Sequence, residues 1–118
     1  MAQRKSSHGE GEYCFPGGHL ELGESFADCA QREVREETGM EIENIEFLYL
    51  ANLRNFHGKH HVQISLKADW KSGEPINLEK DKSGEWRWYS VNDLPSPIFK
   101  PCKMAFKVLR TKQYYFDN

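Results

Sequence analysis

Apolar side chains follow two periodicities along this chain, and each predicts a different kind of element. Phe26, Ala30 and Val34 recur every fourth position, which lays one apolar stripe along a helix. Ser25 stands where an N-cap belongs, with Asp28 three residues on as its reciprocal partner, and Gly39 suits the left-handed residue that ends the helix. Starting at Pro101, the positions Cys102, Ala105, Phe106 and Leu109 match the i, i+3, i+4, i+7 template and predict a last helix. Strand signals lie between the two. Asn44 to Arg54 is dense in Ile, Phe, Leu and Tyr and predicts a buried strand. His61 to Asp69 alternates Val62, Ile64, Leu66 and Ala68 with polar neighbours, the period of a strand with one buried face. The polar stretch Asn55 to Lys59, with Gly58, joins them as a hairpin. Trp86-Arg87-Trp88-Tyr89 predicts a further strand, followed by a turn over Asn92 to Pro97. Tyr13-Cys14-Phe15 is a brief strand stopped by Pro16-Gly17-Gly18, and Met1 to Glu12 reads as a polar loop with a short strand at its start. The layout is α+β, with strands meeting in antiparallel fashion and no repeat or interdomain linker.

Composition narrows the function. The 118 residues suit one domain spanning 1–118. A 38% hydrophobic and 13% aromatic content excludes a disordered chain. Sixteen Lys plus Arg against eighteen Asp plus Glu, a net charge of −2, excludes the basic field that duplex nucleic acid demands. No apolar run approaches a membrane span, and no signal-peptide stretch opens the chain. Cys14, Cys29 and Cys102 are odd in number and far apart, forming neither a disulfide framework nor a CxxC clamp. These features together predict a reduced, cytoplasmic protein.

The candidate chemistry lies between Gly18 and Met40. On a helix, Glu33, Glu36 and Glu37 fall within an arc of about 100°. A solvated acidic face, compensated by Arg32 and Arg35, is one reading of that crowding. The lead-in favours another. Glu24 precedes the N-cap, and the Gly17–Gly18 pair lets backbone carbonyls join carboxylates around a hard cation. Such oxygen ligands suit Mg²⁺ or Mn²⁺ rather than Zn²⁺, and the spacing is not that of a calcium EF-hand loop. His57, His60 and His61 also cluster in sequence. Adjacent strand residues point to opposite faces, so the edge of a hairpin explains them better than a metal site does.

Gly18, Glu24 and Arg32-Glu33-Val34-Arg35-Glu36-Glu37-Thr38-Gly39-Met40 together read G-x5-E-x7-R-E-U-x-E-E-x-G-U, with U apolar. This resembles the Nudix box, with all nine specified positions filled. Chance would produce such a match on the order of once in a billion start points. The resemblance implies a Nudix-like α/β/α sandwich with a mixed, mostly antiparallel sheet. It further implies a Mg²⁺-dependent hydrolase, with Mn²⁺ as a substitute, that cuts a phosphoanhydride in a nucleotide. In that reading Glu33, Glu36 and Glu37 are the principal metal ligands, assisted by Glu24 and the Gly17 backbone. Arg32 orients a neighbouring box carboxylate. The catalytic set is Glu36, Arg32 and an acid from a later loop, drawn from Glu79, Asp81 and Glu85 with Glu79 preferred. Gly17, Gly18 and Phe99 would contact substrate. Phe56 and Trp86 are further candidates to stack a base, against a core role for Trp86 and Trp88.

The words Pro16-Gly17-Gly18-His19-Leu20-Glu21, Cys29-Ala30-Gln31-Arg32-Glu33, His60-His61-Val62 and Glu85-Trp86-Arg87-Trp88 are similar to the branch that acts on (deoxy)nucleoside triphosphates. That branch releases a nucleoside monophosphate and pyrophosphate. ADP-ribose or nucleotide-sugar hydrolysis, or a non-catalytic nucleotide-binding module, are the alternatives. Family members carry a longer segment ahead of the glycine pair than the sixteen residues found here, so the expected sheet lacks the family's first strand. A homodimer is expected by analogy.

Overall fold

The computed structural model describes residues 1–117. Its elements are β1 (Ala2–Gln3), β2 (Tyr13–Cys14), α1 (Phe26–Thr38), β3 (Glu41–Phe56), β4 (Lys59–Ser72), α2 (Lys100–Thr111) and β5 (Tyr115–Asp117). β1 and β2 form an antiparallel pair, and β4-β3-β5 form a second, mixed sheet. No helix among the described residues is long and apolar enough to cross a membrane.

Both ends of α1 follow the local signals. The Ser25 hydroxyl accepts from the Asp28 backbone N–H at 3.0 Å. Gly39 adopts φ 75°, in the left-handed region, and its N–H donates to the Arg35 carbonyl. The hairpin is also as expected. His57 and Gly58, both at positive φ, make a two-residue turn whose twist suits antiparallel strands.

One face of the larger sheet forms a core with α2. Tyr49, Ala51 and Phe116 pack against Met104, Ala105 and Val108. The buried polar atoms there are satisfied. The Tyr49 hydroxyl donates to the Pro101 carbonyl at 2.9 Å, and the Gln63 amide donates to both that hydroxyl and that carbonyl. A second core gathers Ala2, Cys14, Trp86, Phe99 and Cys102 beneath the small sheet. All three cysteines are free thiols.

Four expectations are corrected. In β4, Gln63 pairs with Ala51 and so faces α2, which sends Val62 and Ile64 to the opposite, exposed face. The alternating stripe therefore does not mark the side that α2 covers. In α2, Met104 and Val108 are buried and Leu109 is exposed. The two stripes share Cys102 and Ala105, and the rotation of the helix on Tyr49 selects between them. Residues 86–89 form no regular strand. Gly84 and Arg87 donate to Gln3 and Met1, three positions apart, where a ladder needs a spacing of two. Trp86 is core, but Trp88 is 67% exposed. A strand absent from the expectations, β5, returns after α2 to pair in parallel with β3.

Candidate active site

The site is assembled by the loop that enters α1, by one face of that helix, and by residues 76–83. β2 positions the entry. Tyr13 N–H donates to Pro97 O and Phe99 N–H to Tyr13 O, each at 2.8 Å, so the chain reaching Gly17 is held to the lead-in of α2. Gly17 N–H then donates to Glu37 Oε2 at 2.9 Å. Gly18 lies against the Glu33 carboxylate so closely that a Cβ there would collide with its oxygens. Any side chain at position 18 would evict Glu33. Gly17 has no such neighbour, and its contribution is the donor.

Arg32 organises the acids around it. Its Nε–H donates to Glu24 Oε2 at 2.7 Å, while Nη1 serves Glu33 at 2.7 Å and Glu36 at 3.2 Å. Nη2 donates to the His19 carbonyl and to Glu24 Oε1, both at 3.0 Å. The fork on Glu24 is bidentate, the strong form of this pair. It holds the Glu24 carboxyl down at about 2. Glu21 stands at 3.6 Å on the rim.

Glu37 differs from its neighbours. Burial pushes its carboxyl up to about 7, and the nearby charges of Glu33 and Glu79 push the same way. A carboxyl whose pKa is higher folded than unfolded stabilises the fold below its ordinary value of 4.5, and that contribution disappears as pH rises through about 7. The ion-free protein is therefore expected to lose melting temperature across that window. Mn²⁺ affinity should climb by about tenfold per pH unit up to neutrality, then level off. Isothermal titration from pH 5.5 to 8.5 measures this, and Glu37→Gln should flatten the profile.

Residues 76–83 are fastened at both ends. Ile76 N–H donates to Thr38 O at 2.9 Å, and Thr38, fully buried, returns its own hydroxyl to Val34 O. Further along, Lys5 N–H donates to Lys82 O and Gly84 N–H to Gln3 O. The loop thereby carries Glu79 and Lys82 over α1, where the two pair at 3.3 Å.

These pieces enclose an open cleft of about 330 Å³. Gly17, Gly18, Glu33, Glu36, Glu37 and Glu79 all line it. Glu24 is not among the lining residues and is held on Arg32. Asp81 and Glu85 are also absent from the lining, and Glu85 pairs instead with Arg87 on the surface. Phe99 does not line it either. Its ring is buried, with Arg4 stacked over one face at 4.0 Å and Phe56 against it at 5.4 Å. His19, Glu21 and Lys82 line the cleft although no sequence signal marked them for it. The histidines of the hairpin scatter. His60 bonds Asn52, His57 packs on Phe56, and His61 stacks toward His19 at 6.3 Å. A smaller hollow of about 130 Å³ is lined by surface pairs, Lys67–Glu46 and Asn44–Asp69.

The donors in the cleft suit a hard divalent ion. They are carboxylate and backbone oxygens, and Glu37 is a half-buried acid whose charge a cation would favour. Among the described residues no three acids converge on one point as they stand, because Arg32 holds Glu33 and Glu36 while Gly17 holds Glu37. Glu36, half exposed and held by one 3.2 Å bond, swings most easily.

Known proteins agree with this architecture. The family model described as the NUDIX domain matches residues 1–107. The NAD-capped RNA hydrolase NudC of Pseudomonas aeruginosa (strain LESB58) is 35% identical over 85 residues, 72% of this chain and 29% of that protein. NudC of Actinobacillus succinogenes is 34% identical over 93 residues, 79% of this chain and 33% of that one. The chain thus spans about a third or less of these curated relatives. The crystal structure of a MutT NUDIX hydrolase from Burkholderia pseudomallei superposes with a TM-score of 0.83 at 28% identity, covering 90% of this chain and 83% of that one. With Gly18, Glu33, Glu36 and Glu37 of the box lining one cleft and the family model matching residues 1–107, the chain belongs to the Nudix hydrolase family.

Proposed function

We propose that the protein hydrolyses a phosphoanhydride bond in nucleoside triphosphates, giving a nucleoside monophosphate and pyrophosphate, with Mg²⁺ as its natural ion. The observation that carries this reading is the meeting of Glu33, Glu36 and Glu37 with Glu79, an acid from a distant loop, around the Gly17–Gly18 backbone. An anionic polyphosphate cannot approach that many carboxylates unaided. A bound divalent ion supplies the missing charge, acidifies water and stabilises the leaving phosphate.

The chain's own residues do the rest. Arg32 fixes the rotamers of Glu24 and Glu33, so that little reorganisation is left for the moment of reaction. Glu36 and Glu37 present oxygens from successive positions of one rigid helix. Glu79 takes the proton as water attacks phosphorus and the anhydride P–O bond breaks toward pyrophosphate. Its place in the cleft, and the absence of Asp81 and Glu85 from it, support that assignment.

A second reading is favoured by the NudC likeness: a diphosphate joining two nucleosides, cut to two monophosphates. A panel of nucleoside triphosphates, ADP-ribose and NAD with Mg²⁺ separates the two. Pyrophosphate release from triphosphates is expected. Cleavage of NAD and ADP-ribose alone, to monophosphates, would replace the first reading with the second.

A further inference from the structure

Catalysis on a polyphosphate needs a cation that can hold the substrate as well as cations that hold the acids. Arg32 is not available for that task. Its five N–H donors are all engaged, by Glu24 twice and by Glu33, Glu36 and the His19 carbonyl. Lys82 is the sole lysine or arginine among the described residues that line the cleft. Its backbone is pinned, with N–H donating to Glu79 O and C=O accepting from Lys5 N–H. Its ammonium is free to move, being 68% exposed and held by a single 3.3 Å contact to Glu79 Oε2. An exposed pair of that length is weak and readily exchanged. A compact ammonium on a flexible stem suits a phosphate oxygen, where no planar fork is required.

We propose that Lys82 is a substrate-anchoring residue: its ammonium leaves Glu79 for a non-bridging oxygen of the incoming polyphosphate, which anchors the substrate and frees the Glu79 carboxylate to accept the water proton. This rests on the polyphosphate reading of the cleft. The exchange makes and breaks no covalent bond. It couples the two residues of the 79–83 turn, so that the acid is uncovered only when a phosphate has arrived. In the unliganded protein the same contact keeps Glu79 from adding its full charge to the field around Glu37.

The test is isothermal titration of inorganic pyrophosphate and of an α,β-methylene nucleoside triphosphate, in saturating Mg²⁺, into the wild-type protein, Lys82→Ala and Lys82→Arg. Loss of the ammonium is expected to weaken both ligands by about tenfold, and arginine to recover most of it. Melting temperature and Mg²⁺ affinity without nucleotide should not fall, and KM should rise far more than kcat drops. Lys82→Ala binding both ligands within about twofold of wild type would overturn the proposal. A matching loss of Mg²⁺ affinity would overturn it too, by showing that Lys82 acts through the acids. Failure of the wild-type protein itself to bind the analogue in Mg²⁺ would instead bring down the reading of the cleft beneath it.

Discussion

Glu36→Gln is expected to lower kcat for nucleoside triphosphate hydrolysis by on the order of 10²–10³-fold while leaving the melting temperature in place. The two halves of that result have separate physical origins. In the fold, Glu36 is half exposed and makes one 3.2 Å bond, to an arginine that already makes four others, two of them to Glu24. An exposed pair of this kind contributes little to stability. In the proposed chemistry Glu36 offers an anionic oxygen to the cleft it lines, and glutamine keeps the shape but not the charge. Steady-state kinetics beside differential scanning calorimetry measure both halves. A variant that melts lower and loses activity in proportion would place Glu36 in the scaffold.

Arg32→Ala inverts the pattern, striking stability and activity together. Glu24 and Glu33, with side chains 15% and 16% exposed, lose the guanidinium that pairs them, and Glu24 keeps the Glu21 backbone N–H at 2.8 Å. Turnover is expected to fall by about 10–100-fold, the range for residues that orient metal-binding groups. The loss of melting temperature carries a sign that pH reveals. In the wild type Arg32 depresses Glu24 to about 2, so its contribution is complete above the ordinary 4.5 and is lost as pH falls toward about 2. The gap between wild type and variant should therefore be widest near neutrality and close toward acid. Arg32→Lys should recover part of the stability and little of the activity, since a point charge cannot hold Glu24 in a bidentate fork while also reaching Glu33 and Glu36. A gap that does not change with pH would show that the loss is one of packing.

The acids of α1 were legible because a helix writes its geometry into spacing. Glu33, Glu36 and Glu37 share a face by the angle per residue alone, and Ser25 and Gly39 set the ends through short-range hydrogen bonds and one positive φ. The partner of those acids was less so. The sequence prefers Glu79 to Asp81 and Glu85, although each is a carboxylate in a polar stretch. Only the tie of Ile76 to Thr38, and of Lys5 to Lys82, turns the first inward and leaves the others out. Phe99 illustrates the converse. An aromatic residue suits a base, but the packing of Arg4 and Phe56 has taken its ring into the second core.

What the amino-acid order determined by itself, then, is whatever depends on neighbours within a turn or two: the α1 helix and its caps, a hairpin connection within Asn55 to Lys59, and the shared helix face of Glu33, Glu36 and Glu37 with its glycine lead-in. The tertiary structure alone decided which face of β4 meets α2, which stripe of α2 is buried, the parallel return of β5, and the entry of Glu79 and Lys82 into the cleft. The reason is one of range. Local periodicity carries no information about which face of a strand or helix will find a partner, or which of three acids a distant backbone bond will pull inward, and those choices are settled by contacts between residues tens of positions apart.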